Sequence, residues 1–431
     1  MVMSVNPRKS ARIKLLQAFA LLVAFGLTAL IAIRWNSYQW DFNMFYGSAT
    51  DFLQGTSPYR GKGLSFYHPP LTLYLYGLFA QLPRALAYEL WLALKIAALS
   101  ALFLIWNRHF LKLDIAWTTA FYFILAYNGT IYSDLVSGNV SIFEQLGLWI
   151  GFVALLQGRY ALFSLCVILV AQFKLTPIFF AVLLLLAPKR PQWQWFAACA
   201  VGFVAVFLLN LLFQPALLKD FLTVATALDE RGANSPGTLA FVRDVFDRIG
   251  GPGFSERTRA DEVIFAIAAL AIGVFSLAVV VRHRRANAEP DSKLIVYFVC
   301  LAYALVVPRM KPYSYILLLI PTLSLIRLLP RRTLVPAASA ALVALVVFPL
   351  GDSLLPFRSL SQLLYEYISL AAALATWVGF HQVLNGSSAT SGGLNDPQAR
   401  QGDKRHLSSP SLANSGDQAM PAPSGWHDRP P

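Results

Sequence analysis

An aspartate followed by three aromatics opens the chemically suggestive part of this chain: Trp40-Asp41-Phe42-Asn43-Met44-Phe45-Tyr46. It stands just past a membrane-length apolar segment, 15–33, so Asp41 falls at a bilayer boundary. A carboxylate there can serve as a general base, taking the proton from a hydroxyl as that hydroxyl attacks. Phe42, Phe45 and Tyr46 would desolvate it and raise its proton affinity. The same position also suits an N-cap ahead of an amphipathic helix over 42–53, and the residues alone leave both readings open. Asp51, ahead of Gly55, reads as a structural or supporting carboxylate.

Further along the chain the unusual polar groups come in four places. Tyr67-His68-Pro69-Pro70 combines two prolines that fix a helix start with a histidine able to hydrogen-bond a phosphate or a sugar hydroxyl. Ser133-Asp134, Ser137-Gly138-Asn139 and Glu144-Gln145 lie between apolar segments; Gly138 allows a tight turn, and Asn139 has both donors and an acceptor for a sugar. Lys174, in Phe173-Lys174-Leu175-Thr176-Pro177, interrupts an apolar run at a cost of about 2.5–3.5 kcal/mol. An anion beside it, a lipid phosphate above all or Glu144, would offset that cost, as would snorkelling to the interface. Arg309-Met310-Lys311-Pro312-Tyr313 sets two cations among prolines and tyrosines, and arginine offers a planar fork to phosphate oxygens.

The elements that must position these residues are membrane helices. Of the 431 residues, 57% are hydrophobic and 13% charged, and the mean hydropathy is +0.55, beyond any need of a soluble core. Apolar segments fall at 15–33, 88–106, 113–133, 140–157, 160–173, 174–187, 193–214, 263–281, 293–307, 313–329, 334–350 and 361–380. The expected fold is therefore an all-α polytopic bundle, with about 11–13 transmembrane helices once a short stretch at 69–83 is weighed as re-entrant or interfacial.

The net charge of +13 is mostly topogenic, with Lys and Arg holding short loops in the cytoplasm. Arg8, Lys9, Arg12 and Lys14 place the N-terminus there, and Arg159, Lys189, Arg190, Arg282, Arg284, Arg285, Arg331 and Arg332 follow suit. Asp41, Asp134, Asn139, Lys174, the loops 34–87 and 215–262, and Arg309 then share the opposite face, which points to one extracytoplasmic site in a bacterial cell (inner) membrane. Within 215–262, the spacing over 217–228 is that of a surface helix, and turns fall at Asn234-Ser235-Pro236-Gly237 and Gly250-Gly251-Pro252-Gly253. The membrane domain is expected over 1–383 and a disordered cytoplasmic tail over 384–431. No basic stripe is interleaved with aromatics, so nucleic acid is not an expected partner. Cys166, Cys199 and Cys300 lie within apolar segments and read as buried small hydrophobes.

Taken in order, Asp41 with its aromatics, Leu53-Gln54-Gly55-Thr56-Ser57-Pro58-Tyr59, Tyr67-His68-Pro69-Pro70, Ser137-Gly138-Asn139-Val140 and Phe173-Lys174-Leu175-Thr176-Pro177 resemble the signature of glycosyltransferase family 87, also called DUF2029. The resemblance covers about 15–380. It implies a GT-C-type membrane enzyme transferring a hexose, typically mannose, from a polyprenyl-phosphate donor to a lipid or glycan acceptor on the outer face. Asp41 would then be the base, Lys174, Arg309 and Lys311 would hold the donor phosphate, and Tyr46, Tyr59, His68, Asn139 and Tyr313 would contact substrate. Mannosyltransferase members of the family carry a histidine-containing segment late in the chain, where this one has Arg309-Met310-Lys311-Pro312-Tyr313. No acid-rich metal motif is present and no cofactor is expected, a single divalent cation on Asp41 being the one metal arrangement left open. Broken helices and intramembrane charge also suit a transporter or flippase of a lipid-linked or anionic solute, although the sequence shows no internal repeat.

Overall fold

A computed structural model describes residues 39–60, 66–111, 117–187, 190–227, 230–251, 253–287, 291–328 and 358–392. The chain divides into two units, Met1–Ser388 and Ala389–Pro431, and the site belongs to the first. Every regular element among the described residues is helical, and the protein is an all-α polytopic membrane protein.

Helix α1, Trp40–Leu53, ends where Gly55 takes a positive φ of 78° and the Thr56 N–H returns to the Asp51 carbonyl, a left-handed helix stop suited to glycine. Pro69 and Pro70 then start α2, Thr72–Ala80, with the Thr72 hydroxyl closing on the Pro69 carbonyl at 2.7 Å. The two helices pack together through Phe45 and Tyr76, whose rings stack with centroids 4.6 Å apart.

Helix α3, Arg84–Ile105, runs on through a π turn to Leu111. Helix α4, Trp117–Ser137, is broken at 126–129, where Tyr127, Asn128 and Gly129 are all left-handed. Its C-terminal part meets α5, Ser141–Leu156, at a bend of 116°. Then come α6, Tyr160–Val170, a 3₁₀ turn Thr176–Ala181 with Pro177 in its first turn, and α7, Val182–Leu185. Helix α8, Trp193–Phe213, leads into α9, Pro215–Ala227, α10, Thr238–Gly250, and α11, Phe254–Thr258. Helices α12, Ala260–Ala286, and α13, Ser292–Val306, a 3₁₀ turn Pro312–Leu318, α14, Leu319–Leu328, and α15, Arg358–Gly392, complete the order.

Among the described residues four helices are long and apolar enough to cross a membrane: Arg84–Leu111, Trp193–Phe213, Ala260–Ala286 and Tyr365–Asn385. The bent pair Tyr122–Ser137 and Ser141–Leu156 makes a fifth if taken as one broken span. Segments 15–33 and 334–350 of the expected set, and the expected tail beyond Gly392, lie outside the described residues. Four others form only short apolar helices, Tyr160–Val170, Thr176–Leu185, Ser292–Val306 and Pro312–Leu328, with Pro177 and Pro312 in the first turns of the second and fourth, where proline starts a helix but cannot continue one. The two most outward spans, α8 and α12, bury only 11% and 17% of their apolar windows; their exposed Val, Leu and Phe need a lipid solvent.

Three expectations are adjusted. The loop 215–262 is largely helical, and Leu218 and Phe221 of α9 enter the core. The last helix passes the expected boundary at residue 384, with Leu384 itself buried. Asp41 does not cap α1: Gln39 holds that position, and Asp41 lies inside the first turn. All three cysteines are free and buried.

Candidate active site

Asp41 is 5% exposed, and its Oδ2 accepts a hydrogen bond from Asn139 Nδ2 at 2.8 Å. Two features of the chain make that contact. Gly138 takes a φ of 73°, and a Cβ there would lie 2.6 Å from the Phe42 Cβ, so only glycine lets the turn after α4 approach α1 this closely. Trp91 of α3 fixes the same turn by donating to the Gly138 carbonyl at 2.8 Å. Asn139 Oδ1 receives both the backbone N–H of Ser141, at 3.0 Å, and its hydroxyl, at 2.9 Å. With its oxygen so engaged, the amide presents its NH₂ to Asp41.

The relay continues to a cation. Lys174 Nζ donates to Ser141 Oγ at 2.9 Å and to Glu144 Oε2 at 2.7 Å. Lys174 follows α6 where Pro177 prevents a continuous helix, so its ammonium reaches the N-terminus of α5 rather than lipid. It also stands over the Tyr313 ring, 5.4 Å from the centroid.

A second pair of cations comes from the stretch between α13 and α14. Arg309 and Lys311 both bond Glu230, at 2.5 and 2.6 Å, and Arg309 lies over the Tyr67 ring at 5.1 Å. The stretch is held on two sides. Thr130, just after the break in α4, donates to the Pro312 carbonyl at 2.7 Å, and Tyr315 donates to Pro236 at 2.6 Å. The 230–237 part of the long insert thus carries Glu230 to the cations. Burial raises Glu230, yet Arg309 and Lys311 outweigh it and hold the carboxyl below the usual range.

A third cation, Lys95 of α3, is fully buried against Asp134 of α4, with Nζ 2.6 Å from Oδ1. Lys311, Lys95 and Lys174 all act on Asp41 electrostatically. Burial nonetheless dominates and raises the Asp41 carboxyl above its usual value, against the Asn139 hydrogen bond and those three charges.

His68 is fully buried, and its Nδ1 lies 2.6 Å from the Phe173 carbonyl. A carbonyl only accepts, so Nδ1 carries the proton and Nε2 is left as an acceptor. Burial, reinforced by Lys174, pushes this histidine down to about 3, so it is neutral at physiological pH. Its free ring nitrogen is therefore an acceptor; the Nδ1–H that could have donated to a phosphate is taken by the Phe173 carbonyl.

Of the residues singled out in the sequence, Asp41, His68, Asn139, Lys174, Arg309, Lys311 and Tyr313 come together. Tyr46 and Tyr59 have other attachments: their hydroxyls donate to the backbone carbonyls of Leu82 and His68, at 2.8 and 2.7 Å. Tyr59 thereby holds the His68 backbone, and Tyr46 ties α1 to the start of α3. Three contributors were not singled out. Lys95 stands inside an apolar segment, and the cost that flags Lys174 would have flagged it too. Ser141 and Glu230 carry no such signal, since a serine and a loop glutamate are ordinary until the fold places them.

Glycosyltransferase family 87 matches residues 66–308, more than half of the chain. The matched span includes His68, Asn139, Lys174 and Glu230; Asp41 precedes it, and Arg309, Lys311 and Tyr313 follow it. No curated protein matches the chain.

Proposed function

The chain belongs to glycosyltransferase family 87, and from that premise we propose that it transfers a hexose, mannose in the first instance, from a polyprenyl-phosphate donor. The protein is a membrane glycosyltransferase. The observation that carries the finer reading is the buried carboxylate of Asp41, hydrogen-bonded to Asn139, in one site with cations from three separate segments, Lys95, Lys174 and the Arg309–Lys311 pair.

In the proposed reaction the acceptor, a lipid or glycan hydroxyl, lies against Asp41. Asp41 takes the hydroxyl proton while the oxygen forms its bond to the anomeric carbon. The bond from that carbon to the phosphate oxygen breaks on the opposite side, its electron pair leaves with the polyprenyl phosphate, and the anomeric centre inverts. Charge grows on the leaving phosphate, and Lys174, Arg309 and Lys311 are placed to stabilise it. Arg309 supports this with a buried Nε–H that has no partner among the described residues. Tyr67 and Tyr313 form the aromatic floor beneath two of the cations. The charge bias of the loops supports an extracytoplasmic site in a bacterial cell membrane, with both termini cytoplasmic.

The phosphate assignment is tested by direct binding of a polyprenyl-phosphate mannose. Lys174→Ala and Arg309→Ala are each expected to weaken donor binding by roughly 10-fold or more, since charge-assisted contacts are the strong ones, with acceptor affinity little changed. Normal donor binding by both well-folded variants would remove these cations from the phosphate site.

A further inference from the structure

Besides the Arg309 Nε–H, buried polar atoms of this site without a hydrogen-bond partner among the described residues include His68 Nε2, the Tyr76 hydroxyl and Glu144 Oε1. Their residues are 0%, 2% and 4% exposed, and they come from three different segments. Each is fixed by another part of the same side chain. His68 is held through Nδ1 on Phe173, Glu144 through Oε2 on Lys174, and Tyr76 by the stacked ring of Phe45. Phe45 also stands edge-on to His68 at 5.0 Å, and the His68 and Tyr76 rings are 6.1 Å apart. Tyr76 lies within electrostatic reach of Glu144 and Asp41. The three residues therefore cluster beside the proposed base.

Buried polar groups are normally paired, and leaving one unpaired is costly. Three together ask for a shared polar occupant, and their chemistry narrows it. His68 Nε2 and an ionised Glu144 Oε1 only accept; the tyrosine hydroxyl both donates and accepts. A phosphate or a carboxylate offers no proton to either acceptor and is repelled by Glu144. A ring of hydroxyls satisfies all three. Glu144 also holds Lys174, the proposed phosphate contact, and in the donor the sugar is one bond from the phosphate.

We infer that His68, Tyr76 and Glu144 form the subsite for the hydroxyls of the transferred sugar, selecting a neutral, fully hydroxylated sugar over deoxy sugars and uronic acids. This rests on the donor reading given above.

The test uses the full chain in detergent with polyprenyl-phosphate mannose and analogues in which one ring hydroxyl at a time is replaced by hydrogen. Turnover of the parent donor by wild type tests the donor reading; no turnover sinks that reading and this inference with it, before any variant is made. Given turnover, at least one deoxy analogue is expected to lose about 10-fold or more in kcat/KM, as sites built to bond a hydroxyl reject its absence. Tyr76→Phe and His68→Phe should each erase the penalty for the hydroxyl they contact, and His68→Gln, which keeps an acceptor, should restore most of it. Tyr76→Phe should also leave the melting midpoint unchanged or raised, because it removes a buried unpaired hydroxyl. Deoxy penalties that stay the same in every variant, or a lowered midpoint in Tyr76→Phe with the penalties intact, would show that these atoms bond internal water or serve packing alone, and would overturn the inference.

Discussion

Asp41 shows how one residue can be tuned by opposing influences. Burial raises its carboxyl, while the Asn139 hydrogen bond and Lys311, Lys95 and Lys174 pull it back. A base must be deprotonated to act, so transfer should fall on the acid side at a pH above the usual aspartate range of about 4. Asn139 donates to the charged form, and removing that bond raises the carboxyl further. In Asn139→Leu the acid limb of the pH–rate profile should therefore move to higher pH; a limb that stays in place would mean that Asn139 does not tune this group. The stability sign follows from the same direction. A carboxyl whose folded value is raised contributes stability below its unfolded value and loses it as pH rises through the folded one. Ionised Asp41 is thus a burden at neutral pH, of the kind expected at a working site.

At the scale of elements, the site depends on how α1, the α4–α5 turn and the stretch before α14 are brought to one place. Gly138 is the narrowest point of that assembly. Gly138→Ala meets both a left-handed backbone and a Cβ 2.6 Å from that of Phe42, strain of the order of 1–3 kcal/mol. The expected outcome is a lower melting midpoint together with a loss of transfer, as Asn139 is pushed from Asp41; unchanged activity would separate that contact from catalysis. Much of this scale was legible in the sequence. Apolar segments, the helix start at Pro69-Pro70, the break at Pro177 and the turn at Gly138 follow from local rules that involve few residues. What was not legible depends on distant partners. Glu230 bonds residues 79 and 81 positions away, and no periodicity encodes that. Asp41 read equally as cap or base; Gln39 holds the cap position, and the partner of the Asp41 carboxylate, Asn139, stands 98 positions on. The expected run of full-length spans also gives way where proline shortens α6, α7 and α14 into packed half-spans.

For the whole molecule, the proposed topology puts Asp41, Lys174, Arg309 and Lys311 on one membrane face. In intact cells, single cysteines introduced at Asn234 and Lys311 should react with an impermeant thiol reagent, and one at Arg284 should not. The native cysteines are buried and should give little background. Labelling at Arg284 but not at Asn234 would invert the topology. The most direct measurement of the central claim is release of polyprenyl phosphate from labelled polyprenyl-phosphate mannose by the purified chain, with membrane extract supplying the acceptor, run for wild type and Asp41→Asn together. Release by wild type is expected, with a fall of about 10²–10⁴-fold in the variant, the variant being folded and binding donor. No release by wild type, or near-normal release by well-folded Asp41→Asn, would contradict it.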